Sequence, residues 1–231
     1  MPVCFNVMPY FLDIIWQRKL ELGYKNETIG EDEDSLIIFQ FLETLPNLQV
    51  LKIEVPFAYL SQFISSIRHT ALLKLVLDTG NRVPVEGPPT AGLAGLEKLS
   101  IIWKVDDNPN EPGSSLAHLY ELIRPSLTTL VKLAIQNSVS VFRGDFDLRL
   151  LKPAADTLRT FDYTLQSTAD DSMLDTIPEI LPHLTKLSIT WNYSFTEHSI
   201  LWKACYNFST SHSMVLINFA GRSCSISLEK Q

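Results

Sequence analysis

One spacing of apolar residues recurs along the chain. It reads Leu-x-x-Leu-x-x-Leu-x-Ile and first appears at Leu45, Leu48, Leu51 and Ile53. A shorter copy follows at Leu72, Leu75 and Leu77. Full copies return at Leu93, Leu96, Leu99, Ile101 and at Leu127, Leu130, Leu133, Ile135. Ala155, Leu158, Phe161 and Tyr163 form a degenerate copy, and Leu181, Leu184, Leu187 and Ile189 a clean one. Phe208, Met214 and Leu216 make a weaker seventh. The third anchors fall at 51, 75, 99, 133, 161 and 187, in steps of 24, 24, 34, 28 and 26 residues. The long step carries Asp106-Asp107-Asn108-Pro109-Asn110-Glu111-Pro112-Gly113, a turn-rich stretch expected as a surface loop.

Within each unit the last positions alternate apolar and polar, as in Leu51-Lys52-Ile53 and Leu187-Ser188-Ile189. That alternation predicts a short strand with one buried face. Between the strands, apolar residues stand at helical spacing over 35–45, 57–67, 116–123, 173–181 and 199–208. Asp34 or Ser35 is the expected N-cap of the first helix, Pro125 ends the third, and Pro178 shortens or kinks the fourth. The Gly and Pro content between Gly80 and Gly92 predicts a loop instead. No such unit can bury its apolar face alone, so neighbours must stack. The expected fold is α/β: a curved solenoid with parallel strands on the concave face and helices and loops outside. Residues 1–34 are expected as an N-terminal cap or truncated segment, 35–216 as an array of about six to seven units, and 217–231 as a C-terminal cap. In that last segment Cys224, Ile226 and Leu228 alternate with Ser and suggest a closing strand.

The units resemble leucine-rich repeats of the helix-containing, irregular kind. Leu45-Pro46-Asn47-Leu48 and Leu181-Pro182-His183-Leu184 look like the repeats of many fungal F-box/leucine-rich-repeat proteins. The resemblance covers residues 35 to 216. It implies a protein-binding module, with substrate recognition of F-box type in ubiquitin ligation and contact with a Skp-type adaptor. The alternative is a free-standing leucine-rich-repeat scaffold with no ubiquitin-ligase role. Two features depart from the family. No Leu-Pro-x-Glu-Leu start of an F-box stands in residues 1 to 34. The Asn often found three residues past the last anchor is replaced by Pro56, Gly80, Lys104, Ser138 and Gln166, and stands only at Asn192.

Composition narrows the function class. The 231 residues are 45% hydrophobic and 19% charged, with a net charge of −7. This excludes a disordered chain and disfavours nucleic acid as partner. Cys4, Cys205 and Cys224 are odd in number and widely spaced, so free thiols are expected in place of a secreted disulfide framework. The apolar start, 1–15, lacks a basic region and is broken by Pro2, Pro9 and Asp13, so no signal peptide is expected. No run is long enough to span a membrane. A cytoplasmic or nuclear protein is the expectation. Phosphate-loop, zinc-protease, dinucleotide and nucleophile-elbow motifs are all absent from the sequence, so neither enzymatic activity nor a cofactor is expected. His198, Cys205 and His212 stand seven apart, two helical turns or about 10 Å, which is too far to share one metal ion. The acidic clusters at 31–34, 106–107, 145–147 and 170–171 lack the alternation of a calcium loop.

The alternation that buries the anchors turns three rows of residues to the concave face. The first is Val50, Lys74, Lys98, Lys132, Thr160 and Lys186. The second is Lys52, Val76, Ser100, Ala134, Asp162 and Ser188, and the third is Glu54, Asp78, Ile102, Gln136, Thr164 and Thr190. The lysine row has two readings, a solubilising stripe or a groove for an acidic peptide. The candidate partner-binding set is Lys52, Lys74, Val76, Asp78, Lys98, Ser100, Ile102, Lys132, Ala134, Gln136, Asp162, Thr164, Lys186, Ser188 and Thr190. Trp103 and Trp191 each follow a last anchor by two residues, as core filler beyond the strand or as an exposed interface anchor.

Overall fold

A computed structural model describes residues 18–22, 33–68, 70–80, 92–105, 114–137, 147–165, 176–177, 179–191, 214–220 and 223–229. Its strands are β1 Lys19–Leu22, β2 Val50–Glu54, β3 Lys74–Asp78, β4 Lys98–Trp103, β5 Lys132–Asn137, β6 Thr160–Leu165, β7 Lys186–Trp191, β8 Met214–Ala220 and β9 Ser223–Glu229. They form one nine-stranded sheet in the order β1-β2-β3-β4-β5-β6-β7-β9-β8. The first seven run parallel.

Parallel neighbours cannot be joined by a tight turn and need a crossover. Here the crossovers carry α1 Glu33–Glu43, α2 Leu60–Ile67 and α3 Ser114–Ile123, with 3-10 turns at Phe57–Tyr59, Arg124–Ser126 and Leu148–Ala154. Helix α1 begins at Glu33, which puts Asp34 and Ser35 inside its first turn and not at the N-cap. Pro125 ends α3, and the chain continues as a 3-10 turn. Among its described residues the crossover into β6 carries a 3-10 helix, Leu148–Ala154, with Pro153 inside it and the Asp147 side chain accepting the Arg149 N–H at its start. The loop expected at 81–91, and the helix expected at 199–208, lie outside the described residues.

Register is constant along the sheet. Leu20, Leu51, Leu75, Leu99, Leu133, Phe161 and Leu187 are successive Cα partners, and the residues two positions on form a second row. Both rows face the helices and enter one core. The entries of β2 to β7 repeat a further device. The Gln49 carbonyl accepts the N–H groups of both Leu73 and Lys74, and the Leu73 carbonyl those of Glu97 and Lys98. Arg18, Glu97, Val131 and Arg159 do the same for their next units. Side chains add to these ties. Ser126 Oγ donates to the Leu93 carbonyl at 2.7 Å and accepts the Leu96 N–H at 3.2 Å, and Thr129 donates to the Leu96 carbonyl at 2.8 Å. Gly92 lies so close to α3 that a Cβ there would stand 2.8 Å from the Glu121 carbonyl oxygen.

The sheet extends beyond the six leucine-spaced strands at both ends. The segment 1–34 contains β1, an in-register parallel strand. At the other end β8 runs across residue 216, where the leucine spacing closed the array, and it does not pair with β7. Only Gly221 and Arg222 separate β8 from β9, so the two must form an antiparallel hairpin. The second arm, β9, docks antiparallel on β7, with Leu228, Ile226 and Cys224 opposite Leu187, Ile189 and Trp191.

Ser126 is fully buried and serves two backbone groups of the preceding unit. Ser126→Ala leaves the Leu93 carbonyl and the Leu96 N–H without that partner, and is expected to lower unfolding free energy by about 1–3 kcal/mol. Urea denaturation measures it, and a loss no greater than that of the exposed Thr128→Ala control would refute the assignment.

Candidate functional site

Among the described residues no helix covers the sheet face opposite α1–α3, and that face carries the fifteen predicted contact residues. None of them is buried. Strand alternation puts them there, because each stands between two anchors that point into the core. Register aligns them in rows. Lys19, Val50, Lys74, Lys98, Lys132, Thr160 and Lys186 form the first, so β1 extends the lysine row by one member that sequence spacing missed. The Lys-Leu-Glu-Leu alternation of Lys19–Leu22 was the available signal. Glu21, Lys52, Val76, Ser100, Ala134, Asp162 and Ser188 form the second row, and Glu54, Asp78, Ile102, Gln136, Thr164 and Thr190 the third. The middle of the face is built of short or half-buried side chains: Val76, Ser100, Ile102 and Ala134.

Charges on this face are partly paired. Lys132 Nζ lies 3.1 Å from the Asp162 carboxylate one strand over, and Lys19 Nζ lies 3.0 Å from Glu21. The Lys19 hydrogen bond and charge hold the Glu21 carboxyl below the usual glutamate range, with smaller help from Lys52 and Lys74. At the far end of β3, Lys104 reaches both Asp78 oxygens, at 2.7 and 2.8 Å.

At the same corner side chains tie down the turn backbone. Asp78 Oδ1 accepts the Gly80 N–H at 3.0 Å, and Gly80 takes a positive φ of 72° that a side chain would strain. Thr79 Oγ1 accepts the Lys104 N–H at 2.8 Å and donates to the Ile102 carbonyl. Two side chains of β3 and its exit thus satisfy backbone groups of two consecutive turns.

Trp103 belongs to the core. It is fully buried, stands edge-on to Phe57 at 5.9 Å, and donates its indole N–H to Ser115 Oγ at 2.8 Å. Ser115 passes the bond on to the Val105 carbonyl at 2.7 Å. The side chain of Trp191, like His198, Cys205 and His212, lies outside the described residues. Among the described residues no three His, Cys, Asp or Glu side chains converge as a metal set, and no helix is long and apolar enough to cross a membrane.

No family model matches the chain, and no curated protein does. Among solved structures it is similar to an uncharacterized protein from Listeria monocytogenes serotype 4b. That likeness has 10% identity and a TM-score of 0.26, and covers 84% of this chain and 67% of the other. A match so loose leaves the fold to be argued from its own strands.

The row's field makes a titration prediction. The Glu21 pKa is lowered in the folded protein, so its small favourable contribution is present at neutral pH and fades as the pH falls through the folded-state value. Carboxyl-carbon NMR is expected to show Glu21 titrating below an ordinary glutamate. Lys19→Ala should bring it most of the way back, and Lys52→Ala only slightly. Equal effects of the two variants would contradict the geometry.

Proposed function

We propose that this chain is a leucine-rich-repeat-type solenoid that binds a protein partner through its open, concave sheet face. One observation carries the reading: seven parallel strands in a single register turn three rows of unburied side chains to one face, with no helix laid over them among the described residues. The floor of small side chains at Ser100 and Ala134 lets a partner backbone approach closely. Lysines and carboxylates on either side of it supply polar contacts for orientation. The period of the units and the double carbonyl tie at the entries of β2 to β7 support the repeat assignment.

The resemblance to fungal F-box/leucine-rich-repeat proteins makes the bound protein a substrate for ubiquitin ligation and adds a Skp-type adaptor as a second partner. Its support is the Leu-Pro opening of two units at Leu45-Pro46 and Leu181-Pro182. The alternative, a free-standing scaffold, uses the same face and dispenses with the adaptor. Co-purification with the adaptor separates the two. No reaction is assigned to the chain itself, and the working compartment is the cytoplasm or nucleus.

Photocrosslinking tests the face. Benzoylphenylalanine in place of Ala134, in the full chain inside cells, is expected to give discrete protein adducts that mass spectrometry identifies. The same group in place of Ile37, which is 62% exposed on α1, is not. Adducts formed from position 37 alone would overturn the reading.

A further inference from the structure

The open face is uneven at the end where the strands begin. Lys74, Lys98 and Lys132 are Cα partners on three consecutive strands, set about 4.8 Å apart by the strand spacing. Lys132 is tied to Asp162, whereas Lys74 and Lys98 form no ion pair among the described residues. Two exposed cations are thus held side by side. A carboxylate between them removes their mutual repulsion and gains two attractions.

A second observation falls at the same place. Among the described residues the exposed large apolar side chains are Ile37, Leu73 and Val131. Leu73 and Val131 share one repeat position, immediately before Lys74 and Lys132, at 39% and 38% exposure. Their backbone is fixed. Each carbonyl accepts two N–H groups from the next unit, and each N–H is bonded to the unit before. Their exposure is therefore a property of the ordered sheet edge and not of a frayed terminus. Glu97 stands between them in the same row.

We propose that this rim is the docking strip for an acidic peptide segment carrying apolar side chains, its carboxylates on Lys74 and Lys98 and its apolar groups on Leu73 and Val131. The proposal rests on the open-face reading above and names its partner's chemistry. Spacing sets the motif. Leu73 and Val131 are two strands apart, about 9.6 Å. In an extended, polyproline-II-like segment, residues three apart point the same way and stand about 9.3 Å apart. In an apolar-acidic-acidic-apolar segment lying across the strand entries, the apolar residues match the Leu73–Val131 spacing, and one of the two carboxylates between them turns toward the side where Lys74 and Lys98 stand. A polyphosphate chain fits less well, because it has no apolar group to cover Leu73 and Val131.

The test is fluorescence anisotropy on the full chain with a labelled peptide of repeated Leu-Glu-Glu. Comparison probes are the same peptide with Lys for Glu, the same with Gly for Leu, and single-stranded oligo-dT. The Leu-Glu-Glu peptide is expected to bind saturably, more weakly as salt rises, and the other three to bind at least about tenfold more weakly. Lys74→Glu with Lys98→Glu, and separately Leu73→Ser with Val131→Ser, are each expected to weaken it by about tenfold. Thermal melts confirm that both exposed double variants stay folded. Failure of the peptide to bind, indifference to either pair of substitutions, or oligo-dT binding as tightly as the peptide would each overturn the proposal. Adducts from position 134 that persist in the Lys74→Glu, Lys98→Glu chain would remove the acidic assignment and leave the open-face reading standing. Loss of position-134 adducts in the unaltered chain would remove the reading itself.

Discussion

The structure depends on one unit's backbone being bonded to the next at a fixed register. A parallel ladder alone permits slippage, and a slip of one residue would turn every anchor leucine out and every lysine in. Here the slip is blocked twice. The leucine rows are buried only in one register, and at the entries of β2 to β7 one carbonyl takes two N–H groups from its neighbour. The second device makes no demand on side-chain identity. That is why the residues whose carbonyls do this, Arg18, Gln49, Leu73, Glu97, Val131 and Arg159, range from charged to apolar while sharing a geometry.

Once register is fixed, position in a unit becomes a place on the face. A lysine repeated before the third anchor becomes a row, although its members are separated by 24 to 34 residues in the chain. Their mutual repulsion is small, below about 1 kcal/mol per pair in water at this spacing. The fold therefore tolerates the row easily. Part of the charge is absorbed by a diagonal partner, since Asp162 lies two positions along from the residue that faces Lys132.

Much of this was legible because the leucine spacing repeats. The strands at 51, 75, 99, 133, 161 and 187, the buried anchors, and the outward rows follow from alternation and period alone. What was not legible has identifiable causes. Strand β1 carries two apolar residues, Leu20 and Leu22, that are half-buried at the edge, without the preceding leucines that mark the other units. The reversal of β9, which stands between β7 and β8, follows from the two-residue link to β8, whereas the apolar spacing around Leu216 does not say which strand lies beside β7. The exposure of Leu73 runs against alternation, which places it on the same side as Leu75. There the consecutive N–H groups of Leu73 and Lys74 bond the one Gln49 carbonyl, so the regular alternation of a strand has not yet begun. The missing repeat Asn looked like a deficit by position; its work is done one and two residues earlier, by Asp78 and Thr79.

These causes share a pattern. Periodicity reports the residues that face the core, because burial constrains them in every unit. It reports the edges and turns poorly, because each is satisfied by whichever neighbour is near: Thr79 for Lys104, Ser126 for Leu93 and Leu96, Gly92 for the crowding against Pro125. Those local solutions differ from unit to unit, and so do the side chains left bare on the open face. A repeat fold thus separates two tasks in one sequence. Leucines at fixed intervals hold the sheet, and the residues between them are free of that duty. At the strand entries Leu73, Lys74, Lys98 and Val131 stand exposed on a backbone whose hydrogen bonds need neither their charge nor their apolar surface.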